Sequence, residues 1–372
     1  MKRRMLLQAA GLPWAAPAQS AMPDPQGNQP SAPSVPLKAI ADGASHPLSS
    51  RFTSLEVARS AFPAATSLND EIDWCALQAA ITQAAAPGSG AVYVPNTGRA
   101  YVLNRTLEVD PNRVTVRSDG ATLAFPKLAE GGTAIVFRPS GSTPYGHERH
   151  VFAGFELIGP GRSPHTTGLL FRSDVDTSSS RAMIRDCTIH GFVAGILFGD
   201  HAYGIGFSHV SVFDCEFDVY APYHLKDAGE TVSFFQCYLF NSGCCIYNGG
   251  AFDLKFFGCS LDFSTRLIWD NNGGIDLVGC RLEIAAPRVQ PIHCNGGRIN
   301  MFGGFFLING THEQVYVSEL FALSSPGASL DLFGVQGWNW RTTTRKLTAG
   351  PGKIRWHQGT EIAEAPAEIG YP

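Results

Sequence analysis

The stretch TVSFFQCYLF, residues 231–240, alternates inward and outward positions through a central cysteine. Side chains that alternate with period two belong to a β-strand with one buried face. The same shape returns in VSVFDCEF (210–217), LKFFGCSLDF (254–263) and IDLVGCRLEI (275–284). Cys187, Cys215, Cys237, Cys259 and Cys280 follow one another at intervals of 28, 22, 22 and 21 residues. Five and three residues before them stand Ala182/Ile184, Val210/Val212, Val232/Phe234, Leu254/Phe256 and Ile275/Leu277, a set expected to face inward.

Each unit continues into a second short strand closed by a polar or Gly-rich turn: GILFGD (195–200), YHLKDAGE (223–230), CCIYNGG (244–250), LIWDNNGG (267–274) and PIHCNGG (291–297). INMFGGFFLI (299–308) and LDLFGVQGW (330–338) repeat the pattern without the cysteine. A parallel β-helix accounts for this, because a coil of about 20 residues cannot bury its inner face alone and stacking makes the core continuous. The cysteines are then small buried hydrophobes in an internal ladder. Disulfides are the alternative, since nine cysteines leave one over and an oxidising compartment permits pairing. Zinc is disfavoured, because the cysteines come one per coil without close C-x-x-C pairs.

Composition agrees with an all-β chain. Forty glycines and 24 phenylalanines in 372 residues suit tight turns and stacked aromatic strands. Charged residues are 16% and the formal net charge is −4, so no basic patch argues for nucleic acid. The opening MKRRMLLQAAGLPWAAPAQSA (1–21) resembles a twin-arginine export signal, with an ordinary Sec signal as the alternative. Either implies a bacterial protein exported to the periplasm or beyond. Residues 22–38, rich in Pro, Gln and Ser, are expected to be a flexible linker, 39–345 the β-helix, and 346–372 a last coil and tail. No stretch approaches the ~20 apolar residues of a membrane span.

KAIADGASHP (38–47), the segment from Asp70 to Val109 containing GSGAVYVPNTGRAY (88–101), and VTVRSDGATLAF (114–125) resemble the entry region of the pectate-lyase-like right-handed β-helix superfamily. That superfamily includes phage tailspikes and bacterial proteins related to polygalacturonases. The resemblance implies an all-β, single-stranded right-handed parallel β-helix with an N-terminal capping helix near 71–85, preceded by an insertion near 45–70. It also implies a homotrimer, as in tailspikes. It says little about chemistry, because the superfamily holds hydrolases, lyases and non-catalytic members. The Asn-Thr-Asp, Asp-Asp and Arg-x-Lys signatures of polygalacturonases are absent, which puts pectin hydrolysis in doubt.

Alignment on the cysteines places Arg185, Phe213, Phe235, Phe257 and Val278 outward, as a platform for sugar rings or a stripe covered by another chain. Glu216, Asp218, Asp262 and Glu283 read as outward surface charge beside Lys255 and Arg281. Alignment on the closing turns brings Asp200, Asp227, Asn248, Asp270 and Asn295 to similar positions, with His201, His209 and Glu230 nearby. Glycosidic cleavage needs one carboxylic acid and one carboxylate, about 5–5.5 Å apart for retention or roughly 6.5–9.5 Å for inversion, and stacked coils supply such spacings. Asp227 and Glu230, supported by Asp200, are the expected catalytic residues. His201, His209, Asp270 and Phe235 are the expected substrate-binding ones. The function expected is hydrolysis of a polysaccharide without a cofactor or metal. A calcium-dependent lyase, and a non-catalytic glycan-binding β-helix, are the alternatives.

Overall fold

The computed structural model describes residues 46–86, 90–140, 150–174, 180–285, 289–309, 319–338, 346–357 and 361–362. The expected export signal, linker and Ala-Asp-Gly turn lie outside the described residues. Each coil supplies three short strands, and each strand pairs in parallel with its counterpart on the next coil. Three faces result. The first includes Val232–Phe235, Asp253–Phe257 and Gly274–Val278, the second Tyr238–Phe240, Ser260–Asp262 and Arg281–Ala285, and the third Cys244–Asn248, Arg266–Asn271 and Ile292–Cys294. Among the described residues the first two faces form one 20-stranded sheet and the third a 10-stranded sheet. The first two are continuous because Val114–Ala124 and His150–Ile158 cross the corner between them. The chain is the expected all-β parallel solenoid, of about ten coils.

A single residue in left-handed backbone turns the chain from the first face to the second. Asp186, His209, Gln236, Gly258 and Gly279 have φ of 53°, 53°, 49°, 60° and 61°. One such residue bends the chain sharply without a loop, and Asp, Asn and His tolerate that region better than most side chains. The residue after it, Cys187, Val210, Cys237, Cys259 or Cys280, points inward and is at most 3% exposed. The ladder therefore runs through Val210, and Cys215 is not in it.

That shift corrects three expectations. The coil of Cys215 carries two apolar-x-apolar patterns in tandem, one per face, and Cys215 follows the second. It sits at the next corner, after Asp214 (φ 52°), where its backbone N–H donates to Ser242 Oγ at 3.0 Å. Phe213 accordingly leaves the outward row of Phe235, where Ser208 stands instead, and stacks on the second face between His190 and Phe240 at 4.7 and 4.9 Å. Asp218 turns inward to complete burial, and Glu283 is also buried, so neither is open surface charge.

Inside, Phe207, Phe234 and Phe256 stack at 4.6 and 4.5 Å. Burial of each such ring stabilises the fold by roughly 1.5–3 kcal/mol. All nine cysteines are free and buried. Burial pushes the Cys187 thiol up to about 12, so it stays protonated and inert.

The helix Ile72–Ala85 closes the N-terminal end, burying Ile72, Trp74, Leu77 and Ile81 against the first coil. Trp74 Nε1 donates to the Thr106 carbonyl at 2.9 Å, and buried Asp73 accepts from Val102 N–H at 2.9 Å while pairing with Arg99 at 2.8 Å. A covered end leaves no edge open to intermolecular strand pairing. The expected insertion folds back as a short helix, Leu55–Ala61, with Leu48 and Ala58 wholly buried.

Candidate functional site

A cleft of about 640 Å³ opens over the N-terminal coils at the corner between the first and second faces. Register explains it. Arg117, Ala153 and Arg185 share one outward position on successive coils, and Thr122, Glu156 and Thr188 share another beyond the corner. Between them the corner is made by Ser118 to Gly120, then Gly154, then Asp186. Before and at the corner the middle coil thus offers only Ala153 and Gly154, and the space their missing side chains leave is the cleft, with Glu156 of the same coil at its edge. Gly154 is required: its φ is +79°, and a Cβ there would lie 1.9 Å from the Ser118 carbonyl oxygen.

Three carboxylates rim this gap. The Tyr93 hydroxyl donates to Asp119 Oδ2 at 2.7 Å, a bond that raises the Tyr93 pKa above its ordinary value. Glu156 accepts from the Thr122 hydroxyl at 2.8 Å and lies 3.4 Å from His190 Nε2. Asp186 lies 3.5 Å from Arg185 Nε and 3.9 Å from His209 Nδ1. The three come from successive coils about 4.8 Å apart, Asp119 and Asp186 at the corner and Glu156 two residues beyond it.

The residues singled out in the sequence fall in four places. Asp200, His201, Asp227 and Glu230 come together on loops 199–205 and 222–231, between the third face and the first. Lys226 N–H donates to Asp200 Oδ1 at 2.8 Å, His201 N–H to the Lys226 carbonyl at 3.0 Å and Gly204 N–H to the Glu230 carbonyl at 2.9 Å. Buried His201 places Nδ1 3.8 Å from Asp227 Oδ2, while Asp227 and Glu230 are exposed. His209 stands at the edge of the cleft, held by Ser208 Oγ at 2.9 Å and Gln236 Oε1 at 2.8 Å. Phe235 lies on the first face, stacked on Phe257 at 4.9 Å.

Asp270 lies at the end of the third face and accepts from the Tyr223 hydroxyl and, at 3.1 Å, from that of Tyr247. Tyr220 and Trp269 flank Tyr247 at 4.9 and 5.7 Å, and Arg266 covers Trp269 at 4.3 Å. The expected alignment of Asn248 with these surface residues does not occur. Third-face register sets Asn248 beside Ala221, pointing inward, where its Nδ2 donates to Asn271 Oδ1 at 2.9 Å.

Tyr93, Arg117, Asp119 and Glu156 were not legible as a site. Their only local signal is an acid beside a corner glycine, in SDG (118–120) and GFE (154–156), and it acquires meaning once the coils are in register. Among the described residues no group of three His, Cys, Asp or Glu is gathered closely enough to hold a metal ion.

No protein-family model and no curated protein matches the chain. Solved structures do. The enzymatically active domain of tailspike protein 4 of bacteriophage CBA120 superposes with a TM-score of 0.58 at 16% identity, over 77% of this chain and 42% of that one. The corresponding domain of tailspike protein 2 of the same phage gives 0.52 at 12% identity, over 75% and 44%. The fold is the right-handed tailspike β-helix. The chain spans less than half the length of either structure. At such identities the shared property is the fold, with the three-faced coil and its corners. No helix among the described residues is long and apolar enough to cross a membrane.

Proposed function

We propose that this tailspike-like protein is exported and hydrolyses a polysaccharide, with the scissile linkage held in the cleft over Ala153 and Gly154. The observation that carries the proposal is the placement of Glu156 and Asp186 around that gap. They sit on adjacent coils, two residues apart along the strand direction. Adjacent coils lie about 4.8 Å apart, and the two-residue offset around the corner adds to that separation. Inverting hydrolysis uses a pair of this kind, with carboxyl groups about 6.5–9.5 Å apart, one carboxylic acid protonating the leaving oxygen while a carboxylate activates water. Glu156, held by Thr122 and His190, is the acid in this scheme. Asp186, oriented by His209, is the base. The "enzymatically active domain" in the names of both tailspike structures supports the assignment as an enzyme.

A second set is favoured by a different contact. Asp200, Asp227 and Glu230 gather on adjoining loops, with buried His201 beneath Asp227. Incubation with a panel of bacterial exopolysaccharides and plant polyuronates, following reducing ends and the ultraviolet absorbance of unsaturated ends, separates the readings. Under the cleft assignment Glu156→Gln and Asp186→Asn each lower the rate by about 10²–10⁴, while Asp227→Asn and Glu230→Gln change it by less than about threefold. The reverse pattern moves the site to the loops. Unsaturated ends point to a lyase, and glycan binding without any new ends to a non-catalytic protein. The aromatic patch around Asp270 offers a further contact for the same glycan, and the stripe led by Phe235 supports the homotrimer.

A further inference from the structure

The cleft is electrically two-sided. Arg117 and Arg185 stand on its first-face wall, two coils apart with only the Ala153 methyl between them. Asp119, Glu156 and Asp186 line the corner and the second-face wall. Arg185 is engaged by Asp186 at 3.5 Å, whereas Arg117 is exposed and has no ion-pair or hydrogen-bond partner among the described residues. A guanidinium offers a planar fork that matches a carboxylate in two parallel hydrogen bonds. Two such forks about 10 Å apart, facing one wall of a cleft, are laid out for a ligand with negative charge on one edge only. A neutral glycan would leave the wall unused.

We propose that Arg117 and Arg185 are specificity-determining residues that select a carboxylate-bearing polysaccharide, one whose acidic groups face the arginine wall while its glycosidic oxygens face Glu156 and Asp186. This rests on the cleft being the glycan site, and it adds the class of glycan. Ala153 and Gly154 serve it by keeping the space between the forks open. Ionic strength should weaken the interaction, because both arginines are open to solvent.

The test is equilibrium binding of the full chain to immobilised acidic polysaccharides (polygalacturonate, alginate, hyaluronate and polysialate) and to their carboxyl-reduced counterparts. Thermal melts confirm that each variant is folded. The expected result is binding to at least one acidic glycan, lost on carboxyl reduction and weakened about tenfold by Arg117→Gln and again by Arg185→Gln. Arg117→Lys should restore part of the affinity, which a merely structural arginine would not show. Binding to none of the acidic glycans, equal binding to acidic and reduced forms, or affinity indifferent to both arginines overturns the proposal. The hydrolytic reading fails separately. Arginine-dependent acidic binding with no new reducing ends leaves the clamp standing and removes the hydrolase, while cleavage of a neutral glycan that needs Glu156 but neither arginine does the opposite.

Discussion

Asp218 shows how far a single side chain departs from what its letter suggests. Read on the cysteine pattern it is surface charge; in the coil it faces the interior, wholly buried between the Gly195 and Cys245 positions. The Ser242 hydroxyl donates to Oδ1 at 2.6 Å, and burial pushes the carboxyl well above the ordinary carboxylate range. The folded protein therefore holds a proton that the unfolded chain gives up near pH 4. Its contribution is fully present below that pH and is lost as pH rises toward the folded pKa. Asp218→Asn should flatten this slope and stabilise the protein at pH 8 by on the order of 1–2 kcal/mol, read from denaturant unfolding at several pH values. Gly154 is the opposite case, a residue defined by what it lacks. Gly154→Ala puts a Cβ against the Ser118 carbonyl in left-handed backbone, so it should cost about 3 kcal/mol or more and lower the melting temperature.

At the scale of the coil, the corner is the repeating device. A left-handed residue followed by a small inward one recurs whether the pair is Asp186-Cys187, His209-Val210 or Gln236-Cys237. Sulfur chemistry is thus incidental and volume is what matters. Cys259→Val should change stability by less than about 1.5 kcal/mol, because Val210 already fills the equivalent ladder position on another coil. All nine thiols should resist a thiol-reactive dye in the native protein and react on denaturation. By contrast Phe234, stacked between Phe207 and Phe256, has no room to be replaced. Phe234→Ala should cost about 3–5 kcal/mol in the same unfolding assay. The two kinds of ladder look alike as sequence, and only the packing separates them.

Over the whole molecule, one outward row of the first face stays apolar for five coils: Phe235, Phe257, Val278, Phe302 and Phe333, ending on His357. Phe235, Val278 and Phe302 are 41, 36 and 40% exposed, while the row beside them is polar, through Lys255, Asp276, Asn300, Asp331 and Arg355. A long apolar ladder with a polar border is the pattern of a surface that is covered in the assembly. Light scattering after gel filtration should give an oligomer for the intact chain. Phe235→Ser with Phe302→Ser should shift it toward monomer without altering the far-ultraviolet spectrum. A monomeric parent would mean that the stripe meets a different surface.

The solenoid and its all-β character were determined by the sequence alone, because period-two apolar patterns and an about 20-residue repeat leave few other ways to bury a core, whereas the capping helix followed from the family resemblance and the inward rows were legible except around Cys215. Asp227 and Glu230 could be picked out because turn carboxylates stand apart from such a pattern. Which coil position lies over which was decided only in three dimensions. Two tandem patterns in one coil, as around Cys215, are equivalent as letters, and a loop of ten residues at 222–231 shifts every later alignment by chain number but not in space. The cleft depends on that register. Arg117, Glu156 and Asp186 come from three coils, separated by up to 69 positions, and hydrogen bonding between coils, a long-range interaction, brings them to one gap.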